Sequence, residues 1–541
     1  GLVLEEIIVT SQRRAEDLQS VPVSVTAFSP ELLDQLGVTD PRAMADFVPN
    51  VSIGDGTGRA NVGAQFSIRG VNEGRISPVL DPAVGVYIDD VYYGRPQTNF
   101  LRLLDVERVE VLRGPQGTLF GKNSTGGAIR YVTKKADVND GVNGYLKLGL
   151  GEYDRSNISG AVNVPLSDTV AARFAVAHME QDGYVQRLTD GVGLGSDDTD
   201  FLSAAIRFQP NDQLTVDINV NHTTSESNGG ATKLIDYFGF NGGMPDVTAP
   251  LFTGGISDLA AFNLLFPVGE PEHYAAEIPT SLYQTAGTGP IGSTDSESTG
   301  AALDINYDIS SELSIRSITG YRTVDNRENR ESNDSFLAES FFDGITDTGV
   351  DFWSQEVQLN GVSSGGDVNW VAGVYYSQEE PYSNEITDVD YRTPFFGTLQ
   401  RLGNSFQETT SMGVFAQADW MILEDVTLTL GARWSEDDKK FRTYNTGVFD
   451  TVQDQRLFEI HAIDPLGPDV SGPGGNYVDI RPGPATLYLN GNGAVYGGCT
   501  VAAKCFLDPV TSGVVANLAA AQVSGGDTFT SVTPRVALEW Q

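Results

Sequence analysis

The pattern of apolar and polar residues changes near residue 140. Beyond that point strict alternation governs: Leu214, Val216, Ile218 and Val220 fall on one side of a strand, Thr215, Asp217, Asn219 and Asn221 on the other. Residues 426 to 434 repeat the pattern, with Val426, Leu428, Leu430, Ala432 and Trp434 opposite Thr427, Thr429, Gly431 and Arg433. A soluble sandwich also alternates, so strand length and connection must decide. About twelve such segments occur, most of them at or above the roughly 9 to 11 residues of a tilted membrane strand. Tight turns at 165–168, 210–213, 309–312, 363–367 and 423–425 join every second pair, and long polar loops are expected near 226–297, 329–350, 381–404 and 442–526. Short turns on one rim and long loops on the other predict an antiparallel transmembrane β-barrel over residues 136–541, with polar faces inward, apolar faces toward lipid, and Trp370, Tyr376, Trp420 and Trp434 suited to an interfacial girdle.

Residues 18–135 have a different texture. Ser29 and Pro30 open a short helix as N-cap and first-turn proline, and a second helix follows Asp40 and Pro41. The stretches "FSIRGV", "VGVYIDDVYYG" and "VERVEVLRG" each read as a strand, separated by Gly-rich or Pro-containing loops. This predicts an α+β domain ahead of the barrel, so the chain as a whole is mainly β. A domain of that size before a wide barrel has a natural place inside it.

Composition narrows the function. A net charge of -38 excludes a nucleic-acid partner that relies on clustered Lys and Arg. No run reaches the roughly 18 apolar residues of a membrane helix, which leaves barrel strands untouched. The two cysteines, Cys499 and Cys505, lie close together in a Gly-rich segment of the longest expected loop and read as one small disulfide, with two free thiols as the alternative. The run around Gly117, Gly121 and Lys122 fails as a phosphate loop, because only three residues separate the glycines and Asn123 stands where a hydroxyl belongs. "GVSSG" (361–365) joins two strands and so is no nucleophile elbow. The four histidines show no metal-ligand spacing, and "SDDTD" (196–200) reads as a solvated acidic loop. No enzyme activity, cofactor or resident metal is expected.

The stretch "VERVEVLRGPQGTLFGKNSTGGAIRYVTKK", with "FSIRGV" and "VYIDDVYYG", resembles the plug of the TonB-dependent outer-membrane receptors. Their barrels have roughly 22 strands and a plugged lumen. About half that number is present, and the chain stops inside a strand at "VALEWQ", so a truncated barrel is expected. The resemblance implies that residues 1–17 carry a TonB box, formed by Glu5, Glu6, Ile7, Ile8, Val9 and Thr10, which adds as a strand to TonB of the inner-membrane energy-coupling complex. It implies outward-facing plug loops at 54–64, 72–82 and 93–100, with Arg59, Arg75, Tyr93 and Gln97 as ligand contacts. Arg69 and Arg113 resemble the family's plug arginines that pair with barrel carboxylates, with Glu356 as the candidate partner. The expected function is energy-coupled import of a scarce bulky nutrient, first a ferric siderophore, second an oligosaccharide or aromatic compound, across the outer membrane of a Gram-negative bacterium. A passive porin and a secretion pore such as a fimbrial usher are the rivals; the first needs no handle or plug, and the second places its plug between barrel strands.

Overall fold

The computed structural model describes residues 8–55, 63–72, 80–95, 104–228, 292–331, 342–450 and 521–540, apart from single or paired positions within them, and short strands within 281–285, 485–499 and 516–517. Its wall is an antiparallel sheet of twelve long strands in chain order: Asn143–Leu150, Ser156–Ser167, Val170–Gln181, Asp197–Asn211, Leu214–Ser227, Ser293–Ser310, Leu313–Glu331, Phe342–Val362, Val368–Thr393, Phe396–Leu423, Val426–Asp450 and Ala521–Trp540. The two-residue strand Ala516–Asn517 adds to the penultimate one.

Alternation dictates the two faces. Val357, Val374, Val414, Trp434 and Val532 stand opposite one another across five strands, and the last four of them are exposed. Trp370, Tyr376 and Trp420 share that outer face by parity with Val374 and Val414. On the inner face Glu356, Gln358, Ser377, Glu379, Gln417 and Asp419 are buried. An apolar exterior around a polar interior inverts the order of a soluble domain and suits a wall in lipid.

The tight turns fall where alternation lapses, as at Asn211↔Leu214, Ser310↔Leu313 and Leu423↔Val426. The expected loops are shorter than their polar composition suggests: strands occupy 293–297, 329–331, 342–350, 442–450 and 521–526, and one expected loop is a paired hairpin. Residues 381–404 continue two paired strands that close only at Thr393↔Phe396. Polar composition marks this stretch as a loop, but the pairing is made by backbone N–H and C=O groups, which every residue but proline carries whatever its side chain.

The plug centres on a five-stranded mixed sheet, in the order Val25–Phe28, Val106–Arg113, Gly127–Thr133, Val84–Ile88 and Val91–Tyr93. Ser29 caps the helix Pro30–Leu36 by accepting from the Leu32 N–H at 3.3 Å, and Gly37 ends it at φ 67°. The stretch 84–93, expected as one strand, is a hairpin. Asp89 and Asp90 hold φ values of 49° and 67° at its turn, the positive values that a two-residue type I′ connection requires. The plug core, including Phe28, Val109, Ile129 and Tyr87, merges with wall residues Ile318, Phe352, Val371 and Phe415, so plug and wall share one apolar cluster.

Candidate functional site

The candidate site is the seam where the N-terminal segment meets plug and wall. Ile8–Val9 pairs antiparallel with Glu16–Asp17, and buried Val9 packs with Val21 and Ala27. Between these short strands the chain turns tightly, with the Arg13 N–H bonded to the Thr10 carbonyl at 3.0 Å and Arg13 itself at φ 65°. A non-glycine residue in that region is strained and must be held by its surroundings. The turn presents three successive side chains to the wall. Gln12 accepts a 2.6 Å hydrogen bond from the Gln417 amide, Arg13 reaches Glu356 at 3.4 Å, and Arg14 pairs with Asp419.

Asp90 is the hub behind this contact. Its carboxylate takes Arg13 at 2.9 Å, Arg130 at 2.5 Å and the wall's Arg316 at 2.9 Å. Burial alone would raise its pKa, but the guanidiniums of Arg130, Arg316 and Arg13 hold it well below the usual carboxylate range. Arg130 also pairs with Glu110 at 2.5 Å, and Glu110 accepts the Thr10 N–H at 2.9 Å. Burial opposes ionisation of Glu110, yet Arg130 and Arg108 lower its pKa. Thr10 Oγ1 accepts from Arg130 and Arg108 at 2.7 and 3.0 Å. One web therefore ties the N-terminal segment to the plug sheet and the wall together.

A second cluster centres on Arg95, which follows the strand Val91–Tyr93. Arg95 grips Glu379 with two parallel bonds of 2.9 and 2.8 Å and donates to the Leu80 carbonyl at 2.7 Å. Burial works against its charge, but Glu379 raises its pKa further. Lys439 of the wall pairs with Asp81. Nearer the start of the wall sheet, Arg173 of the strand Val170–Gln181 donates to Asp105 of the plug through bonds of 2.7 and 2.5 Å.

The expected site residues are distributed differently. Glu356 does face the plug, but its partner is Arg13. Arg69 is exposed and pairs with no carboxylate among the described residues, while Arg113 donates to the Pro49 carbonyl at 3.4 Å. Arg69 follows the strand Ala64–Ile68 and Arg113 ends the strand Val106–Arg113, and both meet the chain within the plug, at the carbonyls of Asn50 and Pro49, whereas the turn at Arg13 reaches the wall. Tyr93 is buried with its ring 3.9 Å from the Arg322 guanidinium, so it braces the wall instead of facing a solute. Ile8, Val9 and Thr10 are docked as described. Glu5, Glu6, Ile7, Arg59, Arg75, Gln97 and Cys505 lie outside the described residues, as does the side chain of Cys499. The glycines of 114–127 serve close approach: a Cβ on Gly121, at φ 76°, would stand 2.8 Å from Arg433, and one on Gly127 would stand 2.2 Å from the Leu112 carbonyl oxygen.

Sequence reading missed Arg13, Arg14, Asp90 and Arg95. A signal existed for the first two, an Arg-Arg pair directly behind the expected handle in a very acidic chain. It also missed a grouping on the outer face, where strand register brings His178 to 3.0 Å from Asp200 and close to Asp198; all are solvated and none is held by a buried partner.

Comparison with known proteins agrees with this architecture. The TonB-dependent receptor plug domain model matches residues 17–128, and the TonB-dependent receptor-like β-barrel model matches residues 228–541. The pesticin receptor of Yersinia pestis is 29% identical over 212 residues, covering 38% of this chain and 30% of that protein. A vitamin B12 transporter of Vibrio vulnificus is 26% identical over 180 residues, covering 33% and 28%. The match thus spans less than a third of these relatives' length. Among solved structures, the ferric yersiniabactin uptake receptor of Yersinia pestis superposes with a TM-score of 0.61 at 18% identity, over 79% of this chain and 61% of that one. The ferripyoverdine receptor of Pseudomonas aeruginosa gives 0.59 at 12%, over 82% and 59%. At such identities the likeness is one of fold. With a plug that precedes every wall strand, and with a barrel model matched over more than half of its length, the chain belongs to the TonB-dependent receptor family.

Proposed function

We propose that the chain is the plug and barrel portion of an energy-coupled importer in the outer membrane of a Gram-negative bacterium, driven by TonB and carrying a ferric siderophore or a similarly bulky nutrient. The observation that carries this reading is the N-terminal segment. It is paired to its neighbour over only two residue positions, Ile8↔Asp17 and Val9↔Glu16, yet through Thr10, Arg13 and Arg14 it holds both the plug sheet and the wall. A strand so short is easily exchanged for a partner's sheet edge, because main-chain hydrogen bonds are indifferent to most side chains. Force applied there acts first on the plug–wall web. Neither a passive pore nor a secretion pore needs such a handle.

Support for the cargo comes from relatives and structural neighbours: a receptor for ferric yersiniabactin uptake, a ferripyoverdine receptor and vitamin B12 transporters. Arg59, Arg75 and Gln97 remain the proposed ligand contacts, as donors suited to an anionic or oxygen-rich solute. The test is accumulation of purified ferric siderophores, cobalamin and oligosaccharides by cells expressing the receptor with and without residues 5–10. Deletion should abolish accumulation of the active cargo and leave its binding at the cell surface intact. Accumulation that survives the deletion would refute energy coupling through this segment.

A further inference from the structure

On the outer face of the wall, strand register assembles a group that spacing along the chain conceals. His178 stands directly opposite Asp200, and Glu180 directly opposite Asp198, on the paired strands Val170–Gln181 and Asp197–Asn211. An imidazole and three carboxylates thus form a square on one side of the ladder. The acidic row continues, since Asp198 is also opposite Glu226, and Glu226 opposite Asp295. Like charges directly opposite one another destabilise a sheet. Among the described residues, the one basic side chain within ion-pair distance of Glu180, Asp198 or Asp200 is His178 itself, so the repulsion has no Lys or Arg to relieve it.

The two nitrogens of the ring have different neighbours. Nδ1 lies 3.0 Å from Asp200 Oδ1 and 3.9 Å from Asp198 Oδ1, while Nε2 lies 4.0 Å from Glu180 Oε2. Nitrogen and oxygen ligands of one tetrahedral zinc ion, each bound at about 2.0 to 2.2 Å, stand about 3.4 Å apart. The ligand atoms of His178, Asp198 and Asp200 all lie within 4.8 Å of one another, so small side-chain rotations bring all three onto one ion. Glu180 sits across the ring, where a carboxylate accepts the second N–H of a metal-binding histidine and fixes its tautomer. The fold supplies its own contrast on the next strand, Leu214–Ser227. There His222 faces the same way, but its Nδ1 lies 2.9 Å from Thr299 Oγ1 and its Nε2 4.0 Å from Glu297, and a hydroxyl with one carboxylate makes no comparable set.

We infer that His178 Nδ1, Asp198 and Asp200 form a site for a divalent transition cation of the zinc type, with Glu180 orienting the imidazole. The mixed nitrogen and oxygen set suits such an ion, whereas calcium and magnesium take oxygen ligands. The ion exchanges the repulsion of facing carboxylates for a shared attraction and staples two neighbouring wall strands. Its surroundings follow from its position. Val176 and Leu202, the next residues on the same face, are exposed and apolar, and the strand that carries His178 ends at Gln181, so the ion sits at the edge of the lipid-facing surface. The exposure of the three ligands leaves a further coordination position open to water. The site stands apart from cargo and from TonB, and its test involves neither.

The experiment uses the purified receptor in detergent, without a polyhistidine tag, and Zn2+ as the probe over a background of excess Mg2+ that occupies other carboxylates. Carbethoxylation of the histidines is followed site by site by peptide mass spectrometry, and zinc binding by calorimetry. Zn2+ should slow modification of His178 by about tenfold once the free ion exceeds its dissociation constant by about that factor, and should leave the rate at His222 within about twofold. Asp200→Asn should abolish the calorimetric binding, Glu180→Gln should weaken it by about tenfold, as removal of an outer-shell partner does, and His222→Ala should leave it unchanged. All three substitutions fall on the outer face, so heat-modifiable migration on gels should stay that of the wild type and certify the fold. Equal protection of the two histidines, no protection of His178, or zinc binding that survives Asp200→Asn would each overturn the inference.

Discussion

The wall and the plug are specified by different physics, the one by a repeating pattern and the other by a few buried contacts. The wall is a periodic object. Within each of the twelve long strands every second residue faces the same way, and each of these strands is hydrogen-bonded to the next in chain order. The plug is aperiodic and held by a few expensive contacts. Asp90, Arg130, Glu110 and Arg95 are charges taken out of water, stable only while their partners stay in place. A structure of the second kind yields suddenly when one contact is drawn out, which is what a force-operated stopper needs.

The largest effect that separates the two regions should come from the hub. Asp90→Ala leaves Arg13, Arg130 and Arg316 sharing a buried site without their common counter-charge, and breaking a buried pair on one side costs about 3 to 5 kcal/mol. Limited proteolysis should then cut residues 8–135 readily while the wall keeps its heat-modifiable migration on gels. Loss of both together would mean that plug and wall are not separately specified.

A wall substitution should do the reverse at somewhat smaller size. Val374→Arg places a charge in the exposed apolar row between Val357 and Val414, and charged residues on the lipid face of a barrel cost about 2 to 4 kcal/mol near the midplane. Less receptor should reach the membrane, as measured by fractionation, while those molecules that do insert should keep a protease-resistant plug.

Acidification should have the smallest effect over the ordinary range. The carboxyls of Asp90 and Glu110 have folded-state pKa values depressed by the guanidiniums around them. A depressed carboxyl contributes stability that is fully present above its unfolded value, about 4, and is lost as pH falls through the lower folded value. Plug protease resistance should therefore be flat from pH 8 to 5 and decline only below about 4. A decline centred near pH 6 would point to some other group.

The same contrast decides how much the sequence revealed. Period 2 made the wall legible, down to the turns at Asn211, Ser310 and Leu423, because a strand's facing depends only on its neighbours in the chain. It failed at 381–404, where two strands stay paired through their backbones without a period-2 apolar signal in the sequence. In the plug, Ser29, Pro30 and Gly37 announced the first helix because capping is local. Asp89 and Asp90 concealed a hairpin, since two aspartates at positive φ carry a weaker signal than Asn-Gly. The web itself was out of reach of local reasoning. Arg13 and Glu356 are 343 residues apart, and nothing in the spacing around Arg69 or Arg113 excluded them in favour of Arg13.

The central claim, that residues 12–14 must leave the wall for transport to occur, is tested most directly by fastening them to it. Gln12→Cys and Gln417→Cys, whose native side chains share a hydrogen bond, can be bridged in cells by a short bismaleimide, and energised uptake of the cargo that the growth panel identifies is then measured. Uptake should fall to the background of the deletion lacking residues 5–10 in the bridged double variant and remain normal in each single variant. Normal uptake with the bridge in place would contradict the account.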